Sequence, residues 1–277
     1  MNQALNRAGE SRQRYDFRRF RGWLGLEFAS TYQTPVIEGV VLTLVFIGFL
    51  GATLTAQYLV IPIAFHQPVV NVIVALEQAF IQSYMASITL ATQLTILLLP
   101  LLISRSLARG FEDGTLVTFL SYPVSRSFIM GLKVCMPVVI TGLCVTVGSL
   151  CADLILIPTG GNVRDLLMIT SAFWIYILLI ATSVALVAIL SRSSTSTTFI
   201  GAGMWYMLLL FGPFYAELPY ALRGIINPVQ IVVEHLTIPA FGPTGIDLAI
   251  AFAGSLFLIL LMIVLILTLF KSREVKS

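Results

Sequence analysis

The chain has 277 residues, 58% hydrophobic and only 10% charged, with 16 Lys and Arg against 13 Asp and Glu and a formal net charge of +3. That much apolar surface excludes an ordinary soluble domain and makes the bilayer the solvent. The basic residues lie beside apolar runs, where they set topology and meet lipid headgroups, and this argues against a nucleic-acid-binding role.

Residues 1–35 read as a cytoplasmic tail and an interfacial helix. Phe17, Phe20, Leu24 and Phe28 recur at helical spacing beside Trp23, while Arg14, Arg18, Arg19 and Arg21 supply charge for headgroups. Pro35 marks a turn into the bilayer. The first apolar run is longer than the h-region of a cleaved signal, about 7–15 residues, so it is expected to stay.

Runs of about 20 apolar residues cross a bilayer as helices, because each backbone amide must be paired within its own segment. Six are expected: Val36 to Leu59, Phe80 to Ile103, Val134 to Ile157, Leu166 to Leu190, Thr197 to Phe214 and Ile246 to Phe270. With both termini cytoplasmic, fourteen basic residues fall inside and only Arg164 and Arg223 outside. An odd count would place Lys271, Arg273 and Lys276 on the wrong side. The fold class is therefore an all-α integral membrane protein of six transmembrane helices in one domain, residues 1–277.

Several positions within the spans stand out. Cys135, Cys144 and Cys151 all fall in the third span and read as small helix residues without a disulfide. Asp153, near the outer end of that span, is a candidate substrate or gate contact, or else an interfacial polar group. Gly201 and Gly203 of the fifth span would let helices approach closely, with Met204 and Met207 beside them as further gate or pathway candidates. Residues 213–245 combine Pro213, Pro219, Pro228, Pro239 and Pro243 with Gly224, Gly242 and Gly245, yet stay largely apolar. They read as short helices in the outer leaflet or as a folded outer loop. His66 and His235, the two histidines, fall in outer segments, and no metal site is expected.

The cytoplasmic segment 104–133 carries the most specific pattern. Gly114 interrupts the helix continuing from span two, Thr115 can cap the next, and Pro123 ends it before Ser125 caps span three. Leu116, Phe119 and Leu120 share one face of this short amphipathic helix. That face could pack back on the membrane helices or fill a groove on another protein.

Glu112, Asp113, Gly114, Thr115 and Leu116, followed by Phe119, Leu120, Ser121, Tyr122, Pro123, Val124, Ser125 and Arg126 and then Gly131 to Lys133, resemble the Gly-Thr-Leu, Leu-Leu-Ser-x-Pro-x-Ser-Arg and Gly-Lys pattern of ABC-2 type permeases. The Ser/Thr-rich turn at residues 191–198 and the Pro/Gly-broken segment with Asn227 and Pro228 extend the likeness over most of the chain. Two departures concern charge. Gly110 stands where many members carry glutamate, and Lys133 is one residue displaced.

The resemblance implies a permease subunit, with export as its expected direction. A coupling helix over Leu116 to Tyr122 would dock on a separate nucleotide-binding ATPase, with Glu112, Asp113, Gly114, Thr115, Phe119, Leu120, Pro123 and Arg126 around it. This chain lacks a phosphate-binding Gly-x-x-x-x-Gly-Lys-Ser/Thr loop, so ATP and Mg belong to the partner. A second permease copy, surrounding lipid and a prokaryotic plasma membrane complete the expectation. No enzyme motif is present in the chain. A secondary transporter working without an ATPase and a non-transporting anchor for an ATPase complex are the alternatives.

Overall fold

The computed structural model describes Gly22, Gly25, Glu38 and residues 88–116, 126–156, 163–212, 217–237 and 242–274. The chain divides into two units, Met1–Val40 and Val41–Ser277. The interfacial helix and the first expected span, apart from those three positions, lie outside the described residues, as do the start of the second span and His66.

In the second unit, every regular element among the described residues is helical. Helix α1 spans Ile88–Glu112. It is followed by α2 (Arg126–Leu156), α3 (Val163–Ser191), α4 (Ser194–Leu210), α5 (Tyr220–Ile226), α6 (Pro228–Thr237) and α7 (Gly245–Glu274). Four of them, α1, α2, α3 and α7, are long and apolar enough to cross a membrane. The described residues thus form an all-α membrane protein with four candidate spanning helices among them. Helix α4, the expected fifth span, has 17 residues. At 1.5 Å per residue it is about 25 Å long, a little less than a hydrocarbon core of about 30 Å.

Side-chain contacts fix the directions of these helices. Phe111 at the end of α1 meets Phe270 near the end of α7 edge to face, with ring centroids 6.4 Å apart. Ser106 of α1 bonds to Lys133 near the start of α2, and Glu112 bonds to the start of α4. The ends of α1, α3 and α7 therefore share one end of the bundle with the starts of α2 and α4. The Gly-Thr-Leu segment lies at this end, and α5 and α6 lie at the other.

Two devices hold α1 against α2. Residues Ser104–Ala108 form a π-helical turn inside α1, a widening that exposes side chains and carbonyls to a neighbour. Pro137 sits inside α2 and has no N–H, so it cannot donate to the carbonyl of Lys133 four residues earlier. The Ser106 hydroxyl donates to that carbonyl instead, at 2.7 Å. In return the Lys133 ammonium, only 3% exposed, donates to the Ser106 carbonyl at 3.0 Å. A helix breaker and a helix bulge thus satisfy each other in a place water does not reach.

Glycines set the closest approaches. A Cβ on Gly142 would lie 2.3 Å from the Trp174 ring of α3, whose indole N–H donates to Thr146 Oγ1 at 3.1 Å. Gly201 of α4 sits against Val184 and Pro100, as expected from its size, whereas Gly203 faces open space. Trp205 of α4 packs edge to face on Tyr176 and donates to Ser183 Oγ at 2.9 Å. Such interhelical bonds contribute roughly 0.6 kcal/mol on average within a membrane.

The proline-rich segment is broken as its composition requires. Pro219 precedes α5, while Asn227 accepts a hydrogen bond from Gln230 N at 3.1 Å and caps α6, with Pro228 in the first helical position. Helix α5 lies on α7 where Gly224 meets Ala251 and Gly254 meets Ile225, each too close for an added Cβ. Ser255 of α7 donates to the Ile225 carbonyl at 2.9 Å, satisfying a group exposed at the end of α5. Helix α6 buries Val229, Ile231, Val232 and Val233. His235 Nδ1 meets the Pro243 carbonyl at 2.7 Å. Thr244 and Asp247 then open α7 through a capping box, with Asp247 Oδ2 accepting from Thr244 N at 2.8 Å and Asp247 N donating to Thr244 Oγ1 at 3.3 Å.

Candidate functional site

Two places combine polar chemistry with shape: the junction around Glu112, and a cavity at the opposite end of α1. They are about 30 Å apart along that helix at 1.5 Å per residue.

The junction joins two stretches far apart in sequence. Helix α1 stops at Glu112, Asp113 forms the turn, and Gly114 takes φ +67°, a left-handed conformation natural to glycine. Helical backbone resumes at Thr115, so this residue lies inside the next helix and not at its cap. The Glu112 carboxylate reaches across to accept a hydrogen bond from Ser194 N at 2.7 Å. Ser194 is the first residue of α4, where backbone N–H groups lack intrahelical partners and the helix dipole favours an anion. Ser193 caps the same turn, its Oγ accepting from Ser196 N at 3.5 Å. One turn further on, Thr198 Oγ1 donates to Ser104 Oγ at 2.7 Å. The Ser/Thr-rich turn and the Gly-Thr-Leu segment, singled out separately in the sequence, are hydrogen-bonded neighbours.

The tight connection from α3 to α4 runs through Arg192, which has φ +52°. A non-glycine residue in this region carries strain of roughly 1–2 kcal/mol. Its guanidinium lies 6.0 Å from the centroid of the Phe111 ring, which also touches Phe270. Arg109 Nε pairs with Asp113 Oδ2 at 3.1 Å on the open surface, a contact of about 0–1 kcal/mol. Arg105, Arg109, Lys133 and Arg192 therefore gather at this end, while Arg223 belongs to α5 at the other.

The expected docking face changes in one respect. Leu116 is 1% exposed and packs on Gly110, its Cβ 3.6 Å from where a glycine Cβ would stand. It is turned into the chain's own fold, the first of the two alternatives for that face. Without a side chain at Gly110, the leucine can close over α1. Glu112, Asp113, Gly114 and Thr115 are exposed here. Arg126 opens α2, and Phe119, Leu120, Tyr122 and Pro123 lie outside the described residues.

The cavity at the other end has a volume of about 330 Å³. Ile88, Thr89, Thr92 and Gln93 of α1, Leu209 of α4, and Asn227, Val229, Gln230, Val233 and Glu234 around α6 line it. Glu234 Oε1 accepts from Gln230 Nε2 at 2.9 Å. Its Oε2 lies 3.7 Å from Arg223 Nη2, while the Arg223 guanidinium also sits 4.5 Å above the Tyr220 ring. The sequence held a signal for this site in the amide of Gln93, within an apolar span, and in the Gln230 and Glu234 pair at i, i+4.

Of the suggested gate residues, Met204 and Met207 are 37% and 56% exposed on the outer side of α4 and do not line the cavity. Asp153 falls in the last turns of α2, the end away from Glu112. Among the described residues no group of three or more His, Cys, Asp or Glu could hold a metal ion. A scan of protein-family models gives no match, and a search of curated proteins finds no relative.

Proposed function

We propose that this chain is the permease subunit of an ABC-2 type transporter, driven by a separate ATPase that docks on its cytoplasmic side. The observation that carries the reading is the hydrogen bond from Ser194 N to the Glu112 carboxylate. It joins the segment that resembles a coupling element to the first turn of α4. A push on the Asp113 to Thr115 surface is thereby passed to a helix whose far end, at Leu209, borders the cavity. Movement at one end then biases the other between two arrangements, as a transporter requires.

In this reading six helices span the membrane, with the Glu112 end inside. The basic residues gathered there and the shared position of the α1 and α7 ends support that orientation. Helices α5 and α6, about 10 and 15 Å long at 1.5 Å per residue, sit in the outer leaflet against α7 and α3 without crossing. A second copy meets the chain along α4, where Phe199, Met207 and Leu210 point outward. ATP and Mg act in the partner, which supplies the hydrolysis.

The test is purification of the tagged chain from its native membranes in mild detergent. A nucleotide-binding subunit in stoichiometric amount, with ATP hydrolysis, is the expected result. The Glu234 carboxylate beside a cavity favours one other reading, a secondary transporter using an ion gradient. Ion-driven uptake by the chain alone in vesicles, with no ATPase recovered, would select it.

A further inference from the structure

The cavity beside α6 has a composition that narrows what it can hold. Its wall is apolar at Ile88, Leu209, Val229 and Val233. Glu234 is the one ionisable residue among those lining it. Other polar groups there are already engaged: Thr92 Oγ1 donates to the Ile88 carbonyl at 2.8 Å, and Asn227 Oδ1 accepts from Gln230 N.

Two acceptors retain capacity. Glu234 has one hydrogen bond, from Gln230, and an ion pair with Arg223 at 3.7 Å, too long for a hydrogen bond. A carboxylate offers about four lone-pair sites, so most of its capacity is unspent. The second acceptor is Gln93, exposed about 7.5 Å along α1 from Ile88. An amide left unpaired in an apolar setting costs about 2–7 kcal/mol, and a polar occupant of the cavity it lines would remove that cost.

We infer that this cavity binds the head of a primary-amine amphiphile, the ammonium donating to the Glu234 carboxylate and the Gln93 amide oxygen while its apolar tail follows the Val229 and Val233 wall. A primary ammonium brings three N–H donors and a positive charge. A quaternary ammonium brings the charge without the donors, and a sulfate brings acceptors only, which neither the Glu234 carboxylate nor the Gln93 amide oxygen can serve. As cargo, the amine rests on the permease reading; as an occupant, it rests on the cavity alone.

The experiment uses the full chain in lipid nanodiscs, without ATP, and three diazirine probes of equal tail length with primary ammonium, trimethylammonium or sulfate heads. Crosslinked peptides are mapped by mass spectrometry. The primary amine should label peptides containing residues 88–93 and 228–234, above the trimethylammonium probe and well above the sulfate. Glu234→Gln should lower that labelling about tenfold, as loss of a charge-assisted hydrogen bond implies. Gln93→Leu, on an exposed position of α1, should also lower it and guards against misfolding of the first variant. Met204→Leu, outside the cavity, should leave it unchanged.

Competition by phosphatidylethanolamine but not phosphatidylglycerol would identify a lipid headgroup as the natural source. Competition by free alkylamine alone would identify a soluble amphiphile. Equal labelling by all three heads, or labelling unchanged in both Glu234→Gln and Gln93→Leu, would overturn the inference. Neither result depends on whether an ATPase is recovered with the chain, so the two readings fail separately.

Discussion

Replacing Ser106 by Ala tests the pairing of the π turn with Pro137. In the native chain the Lys133 carbonyl has no helical donor from Pro137 and is served by the Ser106 hydroxyl at 2.7 Å. Ser106→Ala removes that donor while leaving the ammonium of Lys133 free to reach the Ser106 carbonyl, which is backbone and survives the change. Loss of that donor to a buried carbonyl costs about 1–3 kcal/mol. At roughly 2–4 °C per kcal/mol for a chain of this class, the unfolding midpoint should fall by about 2–12 °C. Pro137→Ala restores an N–H that can bond the Lys133 carbonyl in the ordinary helical way. In that background Ser106→Ala should cost less than about 0.5 kcal/mol, giving a coupling energy of about 0.5–3 kcal/mol. Thermal unfolding of the four proteins in one detergent–lipid mixture, read by tryptophan fluorescence, completes the cycle. Additive effects of the two substitutions, within about 0.5 kcal/mol, would refute the reasoning.

Other expectations follow from the same contacts. Gly142→Ala places a methyl 2.3 Å from the Trp174 ring and should lower the midpoint by the equivalent of about 1–3 kcal/mol, whereas Gly203→Ala enters open space and should be neutral or stabilising by up to about 1 kcal/mol. Glu112→Ala should leave the chain folded and inserted but reduce ligand-stimulated hydrolysis in the transporter complex, with Glu112→Gln intermediate because its amide oxygen can still accept from Ser194 N. Unchanged stimulation in Glu112→Ala would remove the proposed link between the surface and α4. In a background without native cysteines, Glu217→Cys should react with an impermeant maleimide on intact cells and Thr115→Cys only after permeabilisation; the reverse would invert the topology.

Much of the architecture was legible because it rests on local rules. The left-handed turn at Gly114, the break at Asn227 and Pro228, and the close approach at Gly201 each follow from what one residue can or cannot do. Contacts between distant segments were not legible. Read in one dimension, Glu112 is an exposed charge of small effect; folded, its carboxylate completes the first turn of a helix 82 residues away. Pro137 gave no hint that its missing N–H is balanced by Ser106, because nothing local specifies which helix packs there. The setting of Leu116 was left open for a related reason. An amphipathic face announces that it will be covered but not by what, and here Gly110 of its own chain makes room for it. Gln93 and Glu234 are ordinary helix residues until α1 and α6 bring them to one cavity.

The central claim, that an ATPase docks at the surface formed by Asp113, Gly114 and Thr115, is tested most directly by a photocrosslinking amino acid at position 115 in native membranes. Thr115 is exposed there, and Phe257 of α7, 69% exposed in the apolar part of its helix, serves as the lipid-facing control. A crosslinked product containing a nucleotide-binding ATPase subunit is expected from position 115 and not from 257. No ATPase product from position 115, in membranes where the chain is inserted and abundant, would contradict it.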